Sequence, residues 1–230
     1  MKKEDNLYDE SPLKEGSDIE NTSTSNEGEI EAPVETEQAV NFVLGGSEAG
    51  PDMQEMESGL SVEDSLIYLV GPIDEFSLLD FMAKTRTVLK NRSEERSKDP
   101  ISVIIDSFGG DVYSTLGIID FIENLDVPVN TIARGRCMSA AAIILASGTG
   151  ERMASKRTSL MLHNSSGGSI GTANQIRISI EHHDKLDNEL YSLLASKTKK
   201  DIPWWKDTLR NDYYVNSAEA LELGLIDLIG

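Results

Sequence analysis

Three features of the chain have the residue types and placement for chemistry. Ser139 lies inside "ARGRCMSAAAIILASG" (133–148), at the mouth of a run of small and apolar residues. His163 ends "SLMLH", just ahead of the Gly-rich "NSSGGSIG", and "SFGGD" (107–111) follows the apolar run "ISVIID". Acyl transfer by serine needs a hydroxyl, a base to take its proton, a carboxylate to orient that base, and N–H donors for the oxyanion. Ser139, His163 and an aspartate late in the chain fit the first three roles. The paired glycines allow a tight turn and expose backbone N–H groups with no side chain in the way. Ala140, Ala141 and Ala142 would leave room for a peptide beside the hydroxyl, and a helix starting there adds partial positive charge where an oxyanion would form.

Each residue also has an ordinary reading. A Gly-Gly after a strand is commonly a turn, and a serine at a helix start is commonly an N-cap. A lone histidine is more often packed or solvated than catalytic. His182 and His183, set mid-helix among Glu181, Asp184 and Lys185, belong to that ordinary class. Cys137 reads as a small buried thiol rather than a nucleophile. The combination in one chain raises the catalytic reading above its parts.

The elements that would position these residues alternate between strand and helix. "LIYLV" (66–70) reads as a buried strand closed by Gly71-Pro72. A helix follows over "DEFSLLDFMAKTRTVLKNR", with Phe76, Leu79, Met82 or Ala83, and Leu89 on its core face. Next come a strand at 101–106 broken by "SFGGD", a helix over "VYSTLGIIDFIENL", a strand at 128–133 and the Ala-rich helix after Ser139. Residues 159–163 form another strand. A long amphipathic helix is expected from about Thr172 to Ser196, with Ile176, Ile180, Leu190 and Leu194 on one face. Pro203 opens a short helix. The chain closes with a short strand, a helix capped by Ser217 and ended by Gly224, and a last strand. Near-continuous apolar strands joined by helices mean βαβ units and a largely parallel sheet, whose ligand sites lie at the carboxyl ends of its strands.

Charge separates the chain into two parts. The formal net charge of the 230 residues is -19, and residues 1–60 hold 16 Asp or Glu against 3 Lys. Residues 1–61 are therefore expected to be a disordered acidic tail, too poor in apolar surface to offset the entropy of ordering. Within it, "AVNFVLGG" (39–46) is an apolar patch. Residues 62–230 form the folded domain. The acidic balance argues against a nucleic-acid partner, since phosphate binding wants clustered Lys and Arg. One cysteine suits a reducing compartment. No apolar run approaches the ~20 residues needed to cross a bilayer, and no secretory signal is read at the N-terminus, so a cytoplasmic protein without a membrane partner is expected. No metal site is expected from His or Cys spacing, and no cofactor is implied. The phosphate-binding motif G-x-x-x-x-G-K-[ST] is not found, so any ATP-driven step belongs to a partner.

"SFGGDVYSTLGIIDFI", "GRCMSAAAIILASG", "SLMLHNSSGG" and "NSAEALELGLID", in that order, resemble motifs of the Clp protease proteolytic subunit family, over about residues 66–230. The resemblance implies a crotonase-like (ClpP) α/β fold, a βαβ superhelix with a long handle helix. It implies a serine endopeptidase that cleaves peptides or unfolded proteins inside a self-associated ring, single or double, fed by an ATP-dependent unfoldase. Carried over by position, the nucleophile is Ser139, the base His163, and the third member Asp212, preferred to Asp207. The oxyanion donors are the backbone N–H groups of Gly110 and Ala140. Gly167, Gly168, Ser169 and Ile170 resemble the strand that pairs with extended substrate. Phe108 stands where the family has proline, Met138 and Ala141 replace an alanine and a glycine, and Asn211 replaces an arginine that helps pair two rings. A viral head-maturation protease of the same family and a catalytically silent ring component are the alternatives within the resemblance. An acyl-CoA enzyme of the crotonase-like fold is the alternative outside it.

Overall fold

The computed structural model describes residues 57–230. The greater part of the acidic segment, with the patch at 39–46, lies outside the described residues. The described strands form one mixed sheet: β1 (Leu60–Ser61), β2 (Leu66–Ile73), β3 (Ile101–Gly110), β4 (Val129–Met138), β5 (Arg152–Ala154), β6 (Ser159–Leu162), β7 (Tyr213–Asn216) and β8 (Leu228–Ile229). The helices are α1 (Glu75–Asn91), α2 (Val112–Glu123), α3 (Ala140–Ala146), α4 (Ala173–Lys197), α5 (Ile202–Thr208) and α6 (Ser217–Leu223). The path through the sheet is β1-β2-β3-β4-β5-β8, and β6 and β7 branch from β4. Pairing is parallel except at β1–β2 and β6–β7. The largely parallel expectation therefore holds for the central strands. β1 and β5 were not legible, because two or three residues leave no periodicity to read.

Three strands run further than the sequence indicates. β2 continues through Gly71-Pro72 to Ile73 with a register shift between Val70 and Pro72. β3 continues through "SFGG" with a shift between Ile105 and Ser107. β4 continues through "RGRCM" to Met138. Gly and Pro here mark bulges inside strands, not their ends. The consequence is functional: the strands carry their residues past the core to an exposed rim.

The core lies on the face covered by the helices. It includes Ile67, Val103, Ile105, Ile118, Ile144, Leu160 and Trp205. Ile104, Ile132 and Met153 form a smaller buried cluster of their own. Alternate residues of the continuous apolar strands thus enter separate apolar layers, as a parallel sheet demands.

Two expected helix faces differ from the observed ones. In α1 the buried residues are Phe81, Thr85 and Val88, while Phe76 and Leu79 are 72% and 67% exposed. The sheet lies a fraction of a turn away from the stripe that the apolar residues at the helix start suggested. In α4 the buried residues are Leu186, Leu190, Tyr191 and Leu194, and Ile180 is exposed. The buried residues of α4 all fall in its C-terminal half, so the apolar residues of its first half have no core to enter. Thr172 caps α4 in a capping box with Gln175. The cap of α6 is Asn216, which accepts from the Ala218 and Glu219 N–H groups. Ser217 donates its hydroxyl instead to the Ser155 carbonyl at 2.8 Å. Gly224 ends α6 in the left-handed conformation (φ 78°), as expected of a helix C-terminus.

One ion pair ties the end of the chain to the sheet. Arg152 on β5 meets Asp227 through Nε–Oδ2 at 2.9 Å and through its terminal nitrogen to Oδ1 at 2.6 Å, and reaches the Lys197 carbonyl at 2.8 Å. Burial works against the Asp227 carboxylate, but its hydrogen bonds and charge contact with Arg152 prevail and hold it below its ordinary 3.8. A carboxylate with a depressed folded-state pKa stabilises above its unfolded value and loses that contribution as pH falls through the folded value. Arg152→Met should cost about 1 to 2 kcal/mol at neutral pH, with the half-exposed Asp227 discounted for solvent screening. In denaturant titrations the gap to the parent protein should be full above pH ~4 and narrow below it. A gap independent of pH would refute the assignment to this pair.

Candidate active site

Strand register brings the separated polar residues together. β6 is flanked by β4 in parallel, with Met138 opposite Met161, and by β7 in antiparallel, with Leu162 opposite Tyr213. Ser139 follows the last residue of β4, His163 follows the last residue of β6, and Asp212 precedes the first residue of β7. The pairing of these three strands therefore places all three residues at one edge. His163 Nε2 lies 2.8 Å from Ser139 Oγ. His163 Nδ1 lies 3.6 Å from Asp212 Oδ1, within ion-pair reach and longer than a hydrogen bond. Asp207 is bound elsewhere, 3.4 Å from Arg210 Nε.

Ser139 occupies a strained turn. Its φ is 53° and ψ -125°, one of two positive-φ non-glycine residues among those described. It is held there by its N–H donating to the Met161 carbonyl at 2.6 Å and by its carbonyl accepting from the Ala142 N–H at 3.0 Å. The side chain makes no capping bond to α3. The ordinary reading of Ser139 as an N-cap is thus set aside, and its oxygen is directed to the imidazole. A hydroxyl on a strained strand-to-helix turn is the geometry that serine nucleophiles adopt on other α/β sheets.

Two glycines make the turn fit. A Cβ on Gly109, whose φ is 95°, would lie 2.7 Å from Ser139 Cβ and 2.9 Å from the Ala140 nitrogen. A Cβ on Gly110 would lie 2.0 Å from the Ile73 carbonyl oxygen. Side chains are excluded by close backbone approach at both positions. Neighbouring N–H groups are already engaged: Gly109 to Ser107 Oγ at 2.9 Å and Asp111 to the Ile73 carbonyl at 2.7 Å.

A hollow of about 280 Å³ opens at Ser139, with Gly110, Ala140 and His163 in its lining. A smaller one of about 10 Å³ adjoins Ser139 and His163, lined by apolar residues including Leu162, Leu194 and Leu209. Ala141 and Ala142 are fully buried in the core rather than facing the hollow. Their smallness lets α3 pack closely on the sheet, and only Ala140 serves the site. Gly167, Gly168, Ser169 and Ile170 carry no ladder here and are exposed. Ser165 and Ser166, just before them, are the residues of that segment that line the hollow.

Cys137 is fully buried, and burial, reinforced by the charge of Asp106, pushes its thiol up. A thiol so held is not a nucleophile. Phe108 is 64% exposed and carries the Arg136 guanidinium over its ring at 4.2 Å, and Arg136 Nε lies 2.9 Å from Asp106 Oδ1. No group of three or more His, Cys, Asp or Glu that could hold a metal ion occurs among the described residues.

His182 and His183, read from the sequence as ordinary helix residues, line the larger hollow with Tyr113 and Ser179. A signal for them existed. Ser179, His183, Leu186, Leu190 and Leu194 follow helical spacing along one stripe, but an apolar-only reading drew the stripe through Ile176 and Ile180.

The mixed sheet, its surrounding helices and the turn at Ser139 define an α/β protein of the ClpP/crotonase type. A family model described as Clp protease matches residues 54–230. The ATP-dependent Clp protease proteolytic subunit of Bacteroides thetaiotaomicron is 36% identical over 166 residues, covering 71% of this chain and 73% of the relative. The corresponding subunit of Porphyromonas gingivalis is 32% identical over 167 residues, 72% and 73% of the two chains. Subunit 1 of Prochlorococcus marinus is 36% identical over 138 residues, 60% and 70%. The chain belongs to the Clp protease family, and its general character is that of a proteolytic subunit.

Strain at residue 139 yields a stability prediction. Glycine accepts φ 53° without the penalty that a Cβ incurs, and relief of ~1 to 3 kcal/mol outweighs its greater unfolded-state entropy of ~0.4 to 1 kcal/mol. Ser139→Gly should therefore be more stable than Ser139→Ala by about 1 kcal/mol in chemical denaturation. The reverse order would mean that the turn is not strained.

Proposed function

We propose that the protein is a serine endopeptidase in which Ser139 is the nucleophile, His163 the general base and Asp212 the residue that orients the imidazole. The observation that carries this reading is the 2.8 Å approach of His163 Nε2 to a serine held at positive φ. Nε2 accepts the hydroxyl proton as Ser139 Oγ attacks a peptide carbonyl, then returns it to the leaving amine. The Gly110 and Ala140 N–H groups receive the oxyanion. This is supported by their place in the lining of the hollow and by the prior engagement of the N–H groups of Gly109, Asp111 and Ser139. Asp212 stabilises the imidazolium through Nδ1.

Peptides and unfolded polypeptides are the substrates, and an ATP-dependent unfoldase supplies them to a self-associated ring in the cytoplasm. Extended substrate lies along residues 167–170, pairing through its backbone. Asp212 is 58% exposed by its side chain and stands beyond hydrogen-bond distance of Nδ1. Assembly would shorten that contact and complete the site. The same separation is what a catalytically silent ring component would display, and that is the second reading.

Ser139→Ala should lower hydrolysis of fluorogenic peptides by at least about 1,000-fold with unchanged far-UV circular dichroism, and should abolish labelling by a fluorophosphonate. Undiminished turnover by the purified variant would overturn the assignment. A protein of native sequence that neither labels nor hydrolyses would favour the silent component. Analytical ultracentrifugation with activity measured across the separated species should place turnover in an assembled fraction. Full activity in the monomer would end the proposed role for assembly.

A further inference from the structure

The ladders of the sheet break just below the rim that carries the site. β2 and β3 pair in register as far as Val70 opposite Asp106, and resume at Pro72 opposite Gly109. On the other side Ile105 faces Ala133, and the next pair is Ser107 with Cys137. Arg134, Gly135 and Arg136 of β4 therefore stand against the single residue Asp106. Gly135 takes a positive φ of 71° in this bulge. Beyond it lie two groups that the proposed reaction must hold at a fixed offset. They are the Gly110 N–H, at the end of β3, and Ser139, one residue past β4. A bulge disrupts the ladder locally, so side chains must help to set that offset.

Arg136 spans the gap. Its Nε lies 2.9 Å from Asp106 Oδ1, and both of these atoms are buried. Its guanidinium carbon stands 4.2 Å from the centre of the Phe108 ring. One planar cation thus holds two residues of β3, on either side of Ser107, from a position three residues before Ser139. Phe108 is mostly exposed, so its ring owes little to the core. The β2 side of the turn is held separately, by the Ser107 hydroxyl. That group donates to the Gly71 carbonyl and accepts from the Gly109 N–H at 2.9 Å. Asp106, Phe108 and Arg136 are not among the described residues that line the hollow at Ser139, so any effect they have on catalysis is indirect.

We propose that Arg136 is a positioning residue: by clamping Asp106 and Phe108 to β4, it fixes the Gly110 N–H relative to Ser139 for oxyanion binding. The inference rests on the peptidase reading above and deepens it by naming the group that holds a donor in place.

The test uses the full-length protein and two measurements, steady-state hydrolysis of a fluorogenic peptide and the rate of fluorophosphonate labelling at Ser139. The phosphonyl oxygen takes the place of the oxyanion, so labelling reports on the donor without peptide binding. Arg136→Met should lower kcat and the labelling rate together by about tenfold, with KM unchanged. That is part of the ~100 to 1,000-fold that loss of a whole donor costs. Phe108→Leu should give the same fall, and Phe108→Tyr, which keeps a ring beneath the cation, should retain the parental rates. These two exposed substitutions decide the matter if Arg136→Met fails to fold. The double variant should be no slower than the slower single one. Parental kcat in Arg136→Met and Phe108→Leu overturns this inference and leaves the peptidase reading standing. So does a rise in KM at unchanged kcat, an equal loss in Phe108→Tyr and Phe108→Leu, or losses that multiply in the double variant. A fall in kcat that follows loss of the assembled species in ultracentrifugation overturns it as well. A protein of native sequence that neither hydrolyses nor labels overturns both readings.

Discussion

The site depends on one structural constraint, the double pairing of the four-residue strand β6 (Ser159–Leu162). It is parallel to β4 on one side and antiparallel to β7 on the other. Ladder hydrogen bonds define both registers, and a slip by one residue would turn every side chain to the opposite face. In the observed register Leu160 and Leu162 are buried and His163 emerges at the rim between Ser139 and Asp212. Burial of those two leucines thus sets the position of the imidazole that follows them. The energy that aligns the site is core packing, and the polar residues themselves contribute little to it.

Around that register the backbone is shaped by what it must avoid. Gly109 and Gly110 let β3 run against the turn at Ser139 and against Ile73, where any side chain would collide. The Ser139 backbone is held at positive φ by bonds to Met161 and Ala142, and its hydroxyl meets the His163 imidazole. Ala141 and Ala142 permit the close seating of α3 that makes this possible. In the proposed peptidase reaction, preorganisation of this kind would leave little to rearrange when charge develops on a substrate oxygen. Asp212 is the exception. It lies on the exposed side, one residue before an edge strand, and is correspondingly less constrained.

The hollow beside the turn combines aliphatic and polar surface because α4 crosses it with its mixed stripe. Leu186 and Leu190 anchor the helix in the core, and the same helical spacing carries His183 and Ser179 outward along the opening. One helix therefore supplies both the adhesion that positions it and polar groups that line the hollow. Tyr113, bonded to His182, ties the far end of that stripe to the helix that follows the paired glycines.

Much of this was legible from residue order alone. Continuous apolar runs at 66–70, 101–106 and 129–133 marked the central strands, and the motifs around Ser139 and His163 marked a serine and a histidine set apart from ordinary turns. Composition and local spacing determine such features because they act within a few residues. The extension of β2, β3 and β4 past their glycines, the burial of Ala141 and Ala142, and the exposure of Phe76 and Ile180 were decided by neighbours distant in sequence. The same holds for His183. Its type and position were visible throughout, but only packing of α4 across the sheet's rim leaves its Nε2 buried without a hydrogen-bond partner while the residue borders the hollow. Burial and hydrogen-bond satisfaction are properties of the assembled surroundings, and no local pattern encodes them.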